Sequence, residues 1–550
     1  MAKTGSGKTN KQDHLLHDLN SYLEAFDEAG ILVRCLNPER PANPASPANL
    51  GSTLVRGISY DSRQVEPDWL FVCKGLHFEE RYLFAAINQG AAAIVYESAF
   101  LSEELLAQCA QAAPVAIEVS NLRAALPIIA NLFHDRVWER ITTVGITGTK
   151  GKSTTTYYLK SILDAWADSE GHPHPAILSS IDAYDGVEDH ESHITTPEIF
   201  ELYQHLANAV ASGIQHLVME VSSQGLKYGR TAGVVYDIGC FLNIGEDHIS
   251  TIEHTDAEDY FQSKLLLFKQ CSAAVINAAS DKVERILEAA QATLPADNIT
   301  TYSAVAGVEA SLEASQIESI HTAELNGLGF TVSDRGLASS DRFVLGMTGI
   351  FNVENALAAI ALARLLEVPE KHIHAGLRSA GVPGRMELFR ASNGAVIIID
   401  YAHNWMSFER LFASVEAEYP GTRRTILFGC PGYKALGRRW ELGTLAGRFC
   451  AMTYLTEEDA GEEPVDQICQ EIATHVAAAG GAYEIILDRE EAIRIALDDA
   501  LADTSGKTVV MLTGKGRETR QKRGLEYIPV LSDLEIVLAW LNSHKNKELY

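Results

Sequence analysis

Cysteine, positive charge and long apolar runs are all scarce in this chain of 550 residues. Eight cysteines stand at 35, 73, 109, 240, 271, 430, 450 and 469, with no C-x-x-C pair and no histidine at zinc spacing. A disulfide framework or a zinc ribbon is therefore not expected, and reduced, mostly buried thiols are. Lys and Arg number 45 against 73 Asp and Glu, a formal net charge of -28, with no compensating basic stripe. That balance argues against a nucleic-acid partner, and acidity by itself mostly reports solubility. No run of 18 apolar residues occurs, nor a basic segment ahead of a short apolar one. Neither a membrane span nor export is indicated, and a cytoplasmic protein is expected. Repeats and low-complexity tracts are also missing. With 46% hydrophobic residues the chain can fold, and its length is too great for one core; about three or four domains are expected.

The most informative stretch is VGITGTKGKSTTT, Val144 to Thr156. An apolar, β-branched run enters a glycine-rich turn, which ends in Gly151-Lys152-Ser153 and opens into a helical pattern. Such a turn turns backbone N–H groups and a helix dipole toward a triphosphate. Lys152 neutralises the outer phosphates, and the Ser153 hydroxyl is placed to ligate Mg²⁺. The strict G-x-x-x-x-G-K-[ST] spacing fails, because its first glycine falls on Ile146; Gly148 sits in the turn instead. A second match, Thr4-Gly5-Ser6-Gly7-Lys8-Thr9, has no strand before it and only polar residues after it. It lacks the elements that would orient its amides, and reads as a tail.

Four segments follow from composition: a tail and first helix over 1–50, an N-terminal α/β domain over 51–140, a central domain over 141–381 and a C-terminal domain over 382–550. In the last, strands such as VIIIDYA, RTILFGC and KTVVMLTG alternate with amphipathic helices. Strands apolar throughout imply a parallel sheet covered on both faces, a doubly wound domain with its ligand edge at the carboxyl ends of the strands.

Three clusters lie downstream of the phosphate loop. Glu220 and Ser222 close the apolar strand HLVMEVS, Asn243 to His248 (NIGEDH) close another, and Lys264 lies in the helix DYFQSKLLLF. Singly, each has an ordinary reading: a solvated strand end, a packing histidine, a surface lysine. Together, beside a phosphate loop, carboxylate and imidazole suit Mg²⁺ held between protein and nucleotide.

The series GTKGKSTT, TTPE, MEVSSQ, NIGEDH, the helix lysine, FNVENALAA, VPGRME and DYAHN resembles the Mur ligases, the ATP-dependent amide-forming enzymes of peptidoglycan precursor synthesis. Within them the likeness is to the MurE group, which adds the third residue to UDP-N-acetylmuramoyl-L-alanyl-D-glutamate. It runs from about Tyr60 to the C-terminal segment, and DSRQV, ITTPE and LTGKGRE carry it further. The resemblance implies a three-domain α/β architecture, with a central phosphate-loop ATPase domain and a C-terminal Rossmann-like domain that closes over it. It implies ATP and Mg²⁺ as cofactors, a UDP-muramoyl dipeptide and a free amino acid as partners, and a monomer. Thr147, Gly148, Thr149, Lys150, Gly151, Lys152 and Ser153 would hold the ATP phosphates. Asn352 and Asn355 would frame the adenine, and Arg385 and Asp400 would close on the nucleotide. Ser153 and Glu220 would share one Mg²⁺, and His248 and carbamylated Lys264 a second; Lys152, Lys264, His248 and Glu220 are the catalytic set. Ser62, Thr195, Thr196, Ser222 and Arg230 match positions that bind the UDP-muramoyl dipeptide, and Arg439, Gly514 and Glu518 match contacts to the incoming amino acid.

Departures cluster where that amino acid is chosen. The diaminopimelate-adding enzymes carry D-N-P-R, whose Arg meets the distal carboxylate; here the stretch is Glu457-Glu458-Asp459-Ala460, then Gly461-Glu462-Glu463. Ala460 cannot fork onto a carboxylate, and five acids favour a side-chain ammonium, unless they form a merely solvated loop. Tyr433 and Ala435 replace the aspartates after the glycines, and Gln224 replaces the usual His. The expected product is therefore the L-lysine or L-ornithine tripeptide. Ligation of meso-diaminopimelate, a folylpolyglutamate-synthase-like activity and a catalytically dead scaffold are the alternatives.

Overall fold

The computed structural model describes residues 17–36, 53–75, 78–98, 100–111, 115–192, 194–245, 253–322, 326–335 and 339–545. The tail motif Thr4–Thr9, the Pro-rich stretch at 38–47 and the Glu246-Asp247-His248 triplet lie outside them. The chain forms two compact units, residues 1–156 with 166–301, and residues 157–165 with 302–550.

The first unit begins with helix Leu19–Glu28, capped by Asp18, whose carboxylate accepts from Ser21 N at 3.0 Å. A five-stranded sheet follows, in the order 32–36, 115–119, 93–97, 69–72, 57–59, with its first strand antiparallel. A second sheet runs 299–303, 271–277, 236–241, 142–147, 216–220, 176–178, 182–184, 189–191. Its central strands are parallel, and Asp182–Tyr184 with Asp189–Glu191 adds an antiparallel hairpin at the edge. One hydrophobic core serves both sheets: Leu19, Tyr22, Phe26, Ile117 and Leu126 pack in the same cluster as Tyr203, Met219 and Phe241. Tyr203 Oη also donates to Asn131 Oδ1 at 3.0 Å. That shared core is what joins residues 1–156 and 166–301 into one compact unit.

The second unit contains an antiparallel meander, Leu312–His321, Asn326–Asp334 and Ser339–Leu345, and the helix Asn352–Leu365. Its six-stranded sheet is ordered 387–390, 396–400, 508–513, 423–428, 452–455, 483–485, parallel except for the first strand. Ile397, Ile399, Leu427, Val510 and Leu512 pack with Ile493, Leu497 and Trp540 from the covering helices. This is the doubly wound arrangement expected from uninterrupted apolar strands. The strand order breaks sequence between 396–400, 508–513 and 423–428, so the carboxyl ends there form a switch-point crevice. All eight cysteines are free, and all but half-buried Cys35 are buried. No helix among the described residues is long and apolar enough to cross a membrane.

Candidate active site

Strand Thr142–Thr147 lies between His216–Glu220 and Tyr236–Phe241 in parallel register. Thr147, Glu220 and Asn243 therefore emerge at one sheet edge. Gly151, at φ +86°, turns the chain into helix Lys152–Glu170 and offers no side-chain cap. A non-glycine residue would be strained there, and the helix's first N–H groups stay available for an anion. Asn243 clamps the loop: its carbonyl accepts from Thr149 N at 3.0 Å, its Oδ1 from Lys150 N at 2.9 Å, and its Nδ2 donates to Lys150 O at 3.0 Å. Lys152 Nζ folds over the turn and donates to Gly148 O at 2.9 Å and Thr149 O at 3.3 Å.

The expected metal ligands Ser153 and Glu220 are joined by a residue whose role the sequence concealed. Ser180 Oγ lies 3.1 Å from Ser153 Oγ and donates to Glu220 Oε1 at 3.1 Å, while Ser180 N donates to the same oxygen at 2.8 Å. Glu220 is 1% exposed; a buried carboxylate flanked by hydroxyls is a hard-oxygen donor set of the kind Mg²⁺ takes. Lys264, also 1% exposed, donates to Gly148 O at 2.9 Å and lies 4.7 Å from the Tyr260 ring centre. Tyr260 Oη in turn donates to Thr149 Oγ1 at 3.1 Å. Lys264 thus reaches the phosphate loop from a helix more than a hundred residues downstream. His254, fully buried, connects that helix to the strand end: its Nε2 is 2.9 Å from Ser223 Oγ and its Nδ1 3.3 Å from Asp259.

The expected dipeptide-binding residues also converge. Thr196 Oγ1 donates to Glu220 O at 3.0 Å and to Ser222 Oγ at 3.1 Å. Arg230 pairs with Glu198 at 2.7 Å and donates to Thr196 O at 3.4 Å. Lys74 reaches Glu198 at 2.6 Å from the N-terminal sheet and lies over Tyr60, which stacks on Phe200. Ser62 is buried two residues beyond Tyr60, and Thr195 is half-buried. Lys74 and Glu198 were not foreseen; Glu198 sits inside ITTPE, but nothing local marks the lysine that meets it.

In the second unit, Asn352 and Asn355 face each other on the first turn of their helix: Asn355 Nδ2 donates to Asn352 Oδ1 at 3.1 Å, and Asn352 Nδ2 to Thr348 O at 2.7 Å. Asp400 is buried and accepts from Met386 N at 2.9 Å and Ala402 N at 2.8 Å; burial raises its pKa, and Arg385 counters. Arg385 stacks over Tyr401 at 5.1 Å. With Thr348, Lys160 and Glu387 it lines a cleft of about 670 Å³ of mixed polar and apolar character.

At the carboxyl edge of the doubly wound sheet the acids are not equivalent. Glu457 is forked by Arg523, with Nε at 3.0 Å. Asp459 accepts from Lys515 at 3.1 Å and from Lys522 N at 2.8 Å. Glu463 forks Arg439 at 2.8 and 2.7 Å, and Glu471 takes the same guanidinium at 2.6 Å. Glu462 is exposed. Glu458 alone of the five is buried without a hydrogen bond among the described residues. Its carboxylate lies against Gly514, where an added Cβ would come within 2.4 Å of Oε2. Burial pushes its pKa up to about 7 against the pull of Arg489, Lys515 and Arg438. Two other expected contacts have internal partners: Arg439 as above, and Glu518 with Lys515 at 2.5 Å and with Tyr401; neighbouring Arg517 pairs with Glu387 at 2.6 Å. Arg438, next in chain to Arg439, forms no ion pair among the described residues, yet its charge reaches Glu458 and Cys430. Tyr433 and Ala435, at φ +53° and +45°, hold the preceding loop in a strained left-handed form, a cost that tends to collect in ligand loops.

A phosphate loop with a buried acid and lysine at one sheet edge, and a charged switch-point crevice in a second α/β sheet, define a nucleotide-using enzyme. Comparison with known proteins makes the class specific. Residues 146–363 match the Mur ligase middle domain and residues 384–516 the Mur ligase glutamate ligase domain. The chain is 35% identical to UDP-N-acetylmuramoyl-L-alanyl-D-glutamate--L-lysine ligase of Enterococcus faecalis, over 90% of this chain and 93% of the relative. It is 34% identical to the UDP-N-acetylmuramyl-tripeptide synthetase of Lactobacillus delbrueckii subsp. bulgaricus, over 88% and 93%. A solved UDP-N-acetylmuramoyl-L-alanyl-D-glutamate--2,6-diaminopimelate ligase shares the fold, with a TM-score of 0.62 at 21% identity, covering 92% of this chain and 98% of that one. The chain belongs to the Mur ligase family and is an ATP-dependent acid–amino-acid ligase of its MurE type.

Proposed function

We propose that this chain joins L-lysine to the D-glutamate of UDP-N-acetylmuramoyl-L-alanyl-D-glutamate, the third-residue step of peptidoglycan precursor synthesis. The observation that carries the choice of amino acid is Glu458, a buried carboxylate with no hydrogen-bond partner among the described residues, in a loop whose Ala460 itself supplies no guanidinium for a second carboxylate. The L-lysine named for the Enterococcus faecalis relative agrees with it.

In this reading the loop Thr147–Ser153 and the start of helix Lys152–Glu170 bind the ATP phosphates, and Lys152 swings from Gly148 O to the outer phosphate. The γ-carboxylate of D-Glu attacks the γ-phosphorus and ADP leaves. The lysine α-amine then adds to the acyl-phosphate carbonyl, forming the C–N bond; the tetrahedral adduct loses a nitrogen proton to solvent and, as the carbonyl re-forms, its acyl C–O bond breaks to expel inorganic phosphate. Backbone amides and Lys152 offset the charge that grows on the transferred phosphoryl oxygens. Thr196, Ser222 and Arg230, braced by Glu198 and Lys74, position the muramoyl peptide. Asn352, Asn355, Arg385 and Asp400 are assigned to the nucleotide. Ser153 and Glu220, with carbamylated Lys264 and His248, would hold Mg²⁺, which when bound neutralises phosphate charge. Carbamylation would turn an ammonium that repels the cation into an oxygen donor.

Incubation of the protein with the UDP-dipeptide, ATP, Mg²⁺ and a mixture of amino acids, read by mass spectrometry, tests this. A lysyl tripeptide with stoichiometric ADP is expected. ATP turnover with no tripeptide, or glutamate addition to a folate, would overturn it.

A further inference from the structure

Away from the phosphate loop, the edge hairpin Asp182–Tyr184/Asp189–Glu191 brings three metal-ligating side chains toward His205 on helix Ile199–Ala211. Asp185, Glu188 and His205 place one donor atom each within 4.8 Å of one another. His205 Nδ1 is 2.7 Å from Asp185 Oδ2 and 4.0 Å from Glu188 Oε2, and His190 Nε2 is 3.3 Å from the same Glu188 oxygen. Tetrahedral zinc with bonds of about 2.0–2.2 Å has donor-to-donor edges of about 3.3–3.6 Å; the Asp185–His205 and Glu188–His205 separations bracket that range, and exposed His190, which lies outside the mutually close trio, turns in to complete it. We propose that Asp185, Glu188, His190 and His205 form a binding site for one zinc-class divalent cation.

Two observations beyond proximity favour a cation. His190 Nδ1 is 3.0 Å from Glu191 O. Donation to that carbonyl fixes the tautomer in which Nε2 carries a lone pair, the outer-shell arrangement typical of ligating histidines. That lone pair then faces a carboxylate oxygen at 3.3 Å, which is repulsive unless a proton or a cation lies between them. The second is the preparation of Asp185, whose side chain is fully buried. Its Oδ1 accepts from Val187 N at 2.9 Å and Glu188 N at 2.7 Å, and its Oδ2 from Asn208 Nδ2 at 2.9 Å. Backbone and amide donors thus orient the carboxylate, and Oδ2 exchanges only the His205 proton for a metal. Imidazole with carboxylate selects Zn²⁺ or its transition-metal neighbours over Mg²⁺. The ion would fasten the hairpin to the helix whose N-cap is Glu198, the anchor of Arg230 and Lys74.

The test uses full-length protein stripped with a chelator and held in saturating Mg²⁺. Calorimetric titration with Zn²⁺ should show one site per chain, Co²⁺ should give the strong visible absorption of tetrahedral coordination, and Zn²⁺ should raise Tm. His190→Ala and Glu188→Gln, both at half-exposed positions, should fold as the parent does without zinc, yet bind at least about tenfold more weakly. No zinc binding by the parent, which leaves a proton between His190 and Glu188, overturns the proposal. So does binding that both variants retain in full.

Discussion

At the residue scale, Glu458 and the two adjacent arginines carry opposite expectations. Glu458 has a pKa raised from 4.5 to about 7 by burial. Between those values the folded state holds a proton that the unfolded state has lost, so its effect on stability worsens as pH rises through this window. Glu458→Gln removes that penalty: relative to the parent, its Tm should gain as pH goes from about 5 to 8, with up to about 3 kcal/mol involved. The same variant should raise KM for L-lysine at least about tenfold, because a charge-assisted partner for the ε-ammonium is lost. In the parent, lysine KM should fall as pH rises through about 7 and Glu458 ionises; a flat profile would remove it from the binding site. Arg439 is 3% exposed and forked by Glu463. Arg439→Ala leaves that acid buried and unpaired and should cost roughly 3–5 kcal/mol in denaturant unfolding. Arg438→Ala should leave Tm nearly unchanged and raise the amino-acid KM, which fits Arg438 as the cation for the lysine α-carboxylate. If KM moves only in Arg439→Ala, the sequence-based assignment to Arg439 stands.

At the element scale, the phosphate loop works because one sheet edge gathers three strand ends. Lys264→Ala should abolish turnover with the fold intact, and a small carboxylate added to the assay should restore part of it, since the proposed role is an oxygen ligand. Full activity without rescue would dismiss that role. Ser180→Ala should loosen Glu220 and raise the Mg²⁺ requirement several-fold at unchanged Tm; an unaltered Mg²⁺ profile would make Ser180 a packing residue. The loop, Glu220 and the doubly wound sheet were legible in the sequence because each has a local signature: a glycine turn before a helix, or an apolar strand ending in a polar residue. Ser180, Lys74 and His254 were not, because what defines them is a partner 40, 124 and 31 residues away. The acidic loop was legible in composition and not in function. Pairing of Glu457, Asp459 and Glu463 with Arg523, Lys515 and Arg439 depends on long-range contacts that charge counting cannot see.

At the scale of the whole molecule, two units supply complementary chemistry: the first a phosphate loop with its acid and lysine, the second a charged crevice whose Glu458 is buried without a hydrogen bond among the described residues. Family membership fixes the reaction class, and the crevice decides which amine enters. Lysine and meso-diaminopimelate share an α-amine and α-carboxylate and differ by one distal carboxylate. Burying that group beside Glu458 with no guanidinium at Ala460 costs several kcal/mol, which a hydrogen-bonding site converts into rate discrimination. The direct measurement is kcat/KM for L-lysine and for meso-diaminopimelate at saturating ATP and UDP-dipeptide, at pH 8, where Glu458 is ionised. The account predicts a preference for lysine of about 100-fold or more. Equal or better use of diaminopimelate would contradict it.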